Sequence, residues 1–209
     1  MLLPFEKEAL ALLAADEPFA LGKPVPNQQP SVAPTTYRIA IIGEAPGKDE
    51  EATGRPFVGQ SGRLLDKLLA RRGIARSACF VGNVCQHRPP GNKIELMPKE
   101  HLHDGLNKLR AGLAAFRPNI CLLLGRTALW AASGSYDITN RRGSVFLSDS
   151  LLPGESVKCL ATFHPANCLR QYSNVPIVEM DMVKMMKEAF VPTWEPPRRG
   201  IRVSGHRLR

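Results

Sequence analysis

The chain has 209 residues, 44% of them hydrophobic, and a formal charge of +9. That length can bury one good core, so a single compact domain is expected. No apolar run approaches the ~20 residues that span a bilayer, and Met1-Leu-Leu-Pro-Phe lacks the charged-then-apolar order of a signal peptide; an intracellular, cytoplasmic protein with no membrane partner is expected.

In chain order, residues 6–15 read as a short helix. Residues 16–35 hold five prolines and no sustained periodicity, which suits a linker or an extended wrap over the core. From Tyr37 onward apolar runs alternate with helical patterns. Strands are predicted at 39–42, 79–84, 120–124 and 158–163, with a short apolar run at 145–147. Helices are predicted at 61–72, 99–115, 127–133 and 176–190. This alternation predicts a three-layer α/β/α sandwich around a central, mostly parallel four-stranded sheet. The organisation expected is an N-terminal helix and proline-rich linker over 1–36, one domain over 37–192, and a basic tail over 193–209. Residues 198–209 carry five arginines and no acid, more than half of the excess charge. Such an arm suits a polyanion such as nucleic acid, and it also serves solubility.

The five cysteines, at 79, 85, 121, 159 and 168, include no Cys-x-x-Cys pair, and three lie in or beside apolar runs. They read as reduced, partly buried thiols. Cys85 with His87 comes nearest to a metal-ligand pair, but no second pair answers it, and no metal is expected.

Each of the four strands is followed at its carboxyl end by polar or glycine-rich residues: Gly43-Glu44-Ala45-Pro46, Asn83, Gly125-Arg126 and His164-Pro165. In an open α/β sheet such loops converge on one crevice, where ligands bind. The longest runs Gly43-Glu-Ala-Pro-Gly-Lys-Asp-Glu-Glu-Ala-Thr-Gly-Arg-Pro-Phe-Val-Gly59. It is one residue short of a phosphate-binding P-loop, has Asp49 where a hydroxyl should hold magnesium, and is too acidic to cradle a triphosphate. Taken alone, Phe57 reads equally well as a core residue capping the sheet, and Asn83 as a turn residue after a strand.

Gly43-Glu-Ala-Pro-Gly47 with Gly54-Arg-Pro-Phe-Val-Gly59 is the first of four blocks. The others are Gly82-Asn83-Val84 continuing to Arg88-Pro-Pro-Gly-Asn92, Leu124-Gly-Arg-Thr-Ala128 with Arg142-Gly143, and Phe163-His-Pro-Ala166 with Leu169-Arg170. Together, over residues 37–190, they resemble the uracil-DNA glycosylase superfamily, family 4 type. The resemblance implies a hydrolase of base excision repair, acting as a monomer, that flips uracil out of single- or double-stranded DNA and cleaves its N-glycosidic bond, leaving an abasic site. It implies a pocket wall of Gly43, Ala45, Pro46 and Gly47, a stacking Phe57, and an Asn83 amide reading the uracil edge. It implies that His164 donates to O2 as charge develops there. Leu169 and Arg170 would push into the duplex behind the extruded base, with Arg88, Arg126 and Pro165 completing the DNA contacts. Ala45 stands where other branches carry a water-activating aspartate, so Glu44 and Glu50 are the candidate carboxylates, with Asn92 orienting Glu50 or the DNA backbone. Gly47 stands where better-known glycosylases set a tyrosine against the thymine methyl, which leaves thymine exclusion to another side chain such as Glu50 or leaves the discrimination loose.

The resemblance also implies a four-cysteine iron–sulfur cluster, from which this chain departs. No cysteine precedes Cys79, the third ligand position is His87, and the fourth falls among Leu102, His103 and Asp104. No cofactor is therefore expected, and packing of Leu10, Leu12 and Leu13 is expected to pin the amino-terminal segment instead. The same blocks leave open two other functions: a glycosylase-shaped DNA-binding accessory protein with little catalysis, and a glycosylase for another deaminated base such as hypoxanthine.

Overall fold

The structure, a computed structural model, describes residues 21–33 and 37–191. Strands β1 (Ile39–Gly43), β2 (Phe80–Asn83), β3 (Ile120–Leu124) and β5 (Val157–Thr162) are buried along their whole lengths, as parallel strands covered on both faces must be. The sheet has five strands rather than the four expected, in the order β2-β1-β3-β5-β4. The additional strand, β4 (Val145–Ser148), pairs antiparallel with β5 at the edge, so its short and half-exposed run carries a weaker sequence signal.

Side chains alternate across the sheet with the two-residue period of a strand. Ile39, Ile41, Ile120, Leu122 and Leu124 face one layer, where Leu65, Leu68 and Leu69 of α2 (Gln60–Arg71) and Val178, Met182 and Met185 of α7 (Val175–Phe190) cover them. Ala40, Ile42, Cys121 and Leu123 face the other layer, under Leu106, Leu109 and Leu113 of α3 (Lys99–Phe116) and Ala128, Leu129 and Ala132 of α4 (Arg126–Ser133). Each fully buried leucine of these helices contributes about 1.5–3 kcal/mol. The described helices include none long and apolar enough to cross a membrane.

Three short helices stand where no helix was predicted: α1 (Lys48–Thr53), α5 (Ile138–Arg141) and α6 (Pro165–Arg170). None is long enough to show an apolar period. The first turn of α1 carries Asp49, Glu50 and Glu51, which the positive end of the helix dipole favours.

Residues 21–33 wrap the outer edge of β2. Gln28 and Val81 exchange backbone hydrogen bonds at 2.7 and 2.9 Å, the Val25 amide donates to the Gln86 carbonyl at 2.8 Å, and the Val25 side chain is buried. The strap removes an open sheet edge that would otherwise invite pairing with another chain. The helix read at 6–15, with Leu10, Leu12 and Leu13, and the tail at 193–209 lie outside the described residues.

Chain direction places the site. The path leaves β1 for β2 on one side and then crosses to β3 on the other, so loops part above the carboxyl ends of β1 and β3 and open a crevice there. The end of β5 is tied from below: the Asp181 carboxylate of α7 accepts from Thr162 Oγ1 at 2.7 Å and from two guanidinium nitrogens of Arg142 at 2.6 and 3.1 Å.

Candidate active site

A cavity of about 540 Å³ occupies that crevice, lined by Glu44 through Glu50, Phe57, Gln60, Asn83, Asn92, His164, Leu169 and Arg170, among others. Its walls are therefore the loops after β1, β2 and β5.

Phe57 is 5% exposed and holds a left-handed backbone conformation, φ 53°, that a bulky residue seldom adopts unaided. Arg76 holds it there. Its guanidinium donates to the Phe57 carbonyl at 2.8 Å and to the Pro56 carbonyl at 2.5 Å, and is itself paired with Asp66 at 2.8 Å. Two glycines make room. A Cβ at Gly62 would lie 1.9 Å from the Phe57 carbonyl oxygen, and one at Gly43 would lie 2.4 Å from the Phe57 ring and 2.5 Å from Asn83 Oδ1. The Phe57 ring stacks beside the His164 imidazole, with centroids 5.9 Å apart and planes 29° from parallel.

Asn83 ends β2 and is 3% exposed. Its main chain is satisfied: the amide donates to Asn27 Oδ1 at 3.3 Å and the carbonyl accepts from Gln86 Nε2 at 3.2 Å. Its side-chain oxygen is buried with no hydrogen-bond partner. An unpaired buried amide costs about 1–3 kcal/mol, a cost that a ligand with matching groups removes.

His164 caps α6 with its own ring: Nδ1 accepts from the Ala166 amide at 3.1 Å. That bond leaves Nδ1 unprotonated, so the proton of the neutral imidazole sits on Nε2, ready to be donated. Desolvation first, then the nearby Arg170 cation, against the opposing effect of Glu50, lowers its pKa from 6.5 to about 4. The ring is neutral at physiological pH.

The two candidate carboxylates differ. Glu50 is a buried clasp: Oε2 accepts from the Gly47 amide at 3.0 Å, and Oε1 from the amides of Val58 and Gly59 at 2.9 and 2.7 Å. It closes the loop from Gly47 to Gly59 on itself. Glu44 accepts at one oxygen from Thr127 Oγ1 of α4 while lining the cavity.

The remaining sequence-predicted residues divide. Gly43 sits behind Phe57 and Asn83, and Ala45, Pro46 and Gly47 line the cavity floor and rim beside Glu44. Asn92 lines it too, but its Oδ1 accepts from Arg88 Nε at 2.8 Å rather than orienting Glu50, and Arg88 is paired with Glu51 at 3.4 Å. Leu169, 45% exposed, and Arg170 stand at the mouth, with Pro165 buried in the first turn of α6. Arg126 is outside the cavity, paired with Glu95 and lying over the Tyr136 ring. Sequence reasoning missed Arg76 and Gly62 as supports for Phe57, and Thr127 as the partner of Glu44. Thr127 did fall inside a recognised block and Gly62 lies three residues past the first, whereas nothing marked Arg76.

This is a doubly wound α/β protein with a cavity of about 540 Å³ at its switch point, walled by an aromatic ring, an unpartnered amide oxygen and a neutral imidazole donor. A model of the uracil DNA glycosylase superfamily matches residues 30–195, and the chain belongs to that superfamily. It is 36% identical over 154 residues to the type-4 uracil-DNA glycosylase of Archaeoglobus fulgidus, covering 71% of this chain and 75% of the relative. It is 39% identical over 139 residues to that of Thermotoga maritima, covering 66% and 69%, and 32% identical over 152 residues to that of Pyrobaculum aerophilum, covering 69% and 74%.

Proposed function

We propose that the protein is a uracil-DNA glycosylase of base excision repair, hydrolysing the bond between uracil N1 and the deoxyribose C1′. The observation that carries this reading is the buried, unpartnered Asn83 side-chain oxygen at the same cavity as Phe57 and the neutral His164. Phe57 stacks on the flipped base, an interaction worth about 1–3 kcal/mol. Asn83 pairs with uracil N3–H and O4, a donor and acceptor together that cytosine mismatches. As the N1–C1′ bond breaks, its electron pair leaves with uracil, and His164 Nε2–H donates to O2 where the charge collects, a contribution of about 3–4 kcal/mol. Glu44, aimed by Thr127, favours the positively charged sugar and takes up the proton of the water that adds to C1′. Glu50 acts through the loop it clasps, as a positioning residue. Leu169 fills the gap left in the stack, with Arg170 beside it on the backbone. The test is release of free uracil and formation of alkali-labile sites in uracil-containing DNA.

The reading includes catalysis without an iron–sulfur cluster. Support comes from His87, at the third ligand position: its Nδ1 pairs with the Gly22 carbonyl at 3.0 Å, and the neighbouring Cys85 Sγ donates to the His87 carbonyl at 3.4 Å. The five cysteines are buried free thiols, and burial pushes Cys79 up to about 12. Among the described residues no group of three or more acidic, histidine or cysteine side chains is arranged to hold a metal. The strap at 21–33 serves instead to fasten the chain ahead of β1. Purified active protein should contain iron far below one atom per chain; stoichiometric iron would contradict this.

Residues 193–209 are taken as a basic arm that adds phosphate contacts. Deleting them should weaken DNA binding and reduce its salt slope, by about 0.9 for each duplex phosphate that the arm had neutralised. An unchanged slope would leave the arm without a role on DNA.

A further inference from the structure

A second hollow, of about 360 Å³, lies across Leu169 from the cavity, and Gln60 and Leu169 line both. Its floor is apolar, Leu64 and Leu68, and its rim carries Arg63, Lys67, Arg71 and Tyr172 with no acidic residue. The three cations recur every four residues on α2, about 6 Å apart along its axis. Their pairing differs. Arg71 is held by Glu179 at 2.6 Å, whereas among the described residues the Arg63 guanidinium bonds the Val58 carbonyl at 3.2 Å and no acid, and Lys67 has no acidic partner. Tyr172 is 69% exposed, a large aromatic face left to solvent beside two uncompensated cations.

We propose that this groove holds the nucleotides adjoining the target on the same DNA strand, with Tyr172 stacking on a neighbouring base and Arg63 and Lys67 on the phosphates. The inference rests on the reading of DNA as the substrate. Three features support it. A groove with a cationic rim and no acid complements a polyanion, and an exposed aromatic over an apolar floor suits an unpaired or splayed base. The third is continuity. A nucleotide covalently joined to one whose base has entered the cavity lies within one backbone repeat of the mouth, and the groove adjoins that mouth, sharing Gln60 and Leu169 with it.

The experiment measures equilibrium binding, at several salt concentrations, of single-stranded and duplex oligonucleotides carrying a cleavage-resistant 2′-fluorinated deoxyuridine. The double variant Arg63→Gln/Lys67→Gln should reduce the salt slope on the single strand by about 1.4, two phosphates at about 0.7 each. Tyr172→Ala should weaken binding to both forms about tenfold, within the range of one lost stacked base. Lys67→Arg should retain the wild-type slope, and unchanged thermal midpoints establish that the variants are folded. A wild-type slope in the folded double variant overturns the proposal. So does a loss confined to duplex, which would assign the groove to the opposite strand. Failure of the wild type to release uracil would instead count against the enzymatic reading, and is seen in a separate assay.

Discussion

Replacing His164 with alanine is expected to slow uracil release by about 10²–10³-fold, the loss typical of a single preorganised donor to a developing oxyanion, while DNA affinity stays within about twofold. The ring does two things at once: Nδ1 accepts the Ala166 amide, and this fixes the proton on Nε2. His164→Gln, which keeps a donor but not the cap, should fall between the two. The pH dependence gives a separate readout. With its pKa lowered from 6.5 to about 4, the histidine stays in its active neutral form well below neutrality, so its contribution to the acid limb of kcat falls near pH 4 and leaves no break near 6.5. Stability follows with a definite sign. Between pH 6.5 and about 4 the unfolded chain takes up a proton at this residue that the folded chain refuses, so the native state loses stability as pH falls through that window. A kcat break at 6.5 that disappears in the alanine variant would show that the ring is hydrated and ordinary.

Asn83→Ala is expected to reduce kcat/KM on uracil at least a hundredfold, because two hydrogen bonds to the base edge at about 1.5 kcal/mol each are removed. The same substitution should leave the thermal midpoint unchanged or higher, since it removes a buried polar atom that has no partner in the free protein. That opposite response of activity and stability separates a recognition group from a structural one. Asn83→Asp, equal in size but without an N–H when ionised, should be impaired on uracil as well. An alanine variant that melts well below the wild type yet retains its rate would mean the amide serves the fold.

The elements long enough to show a period were legible in the sequence, their ends falling within one residue of the structure. So were the carboxyl-end loops, because a buried parallel strand followed by polar residues has few other architectures open to it; those after β1, β2 and β5 line the cavity, and Gly125-Arg126 after β3 does not. What escaped was set by tertiary context. The six residues of α1 have no apolar stripe, and their helix depends on Glu50 reaching back to the Gly47 amide. The choice between Glu44 and Glu50 depended on which carboxylate the backbone had already consumed, and no spacing reveals that. Arg126, which the motif marks for a DNA contact, lies outside the cavity beside Glu95 and Tyr136, and no spacing in the sequence reveals that pairing. Arg76 is a lone cation in sequence, and only the positive φ of Phe57 explains why two carbonyls need it.

Whether this cavity selects uracil and releases it from DNA is decided by incubating purified protein with oligonucleotides that differ only in carrying uracil, thymine in a mismatch, hypoxanthine or cytosine at one position, then treating them with alkali. Strand breakage is expected at uracil, with free uracil recovered, and little or none at cytosine. No breakage at uracil under a large enzyme excess, or release of hypoxanthine in preference to uracil, would contradict the assignment.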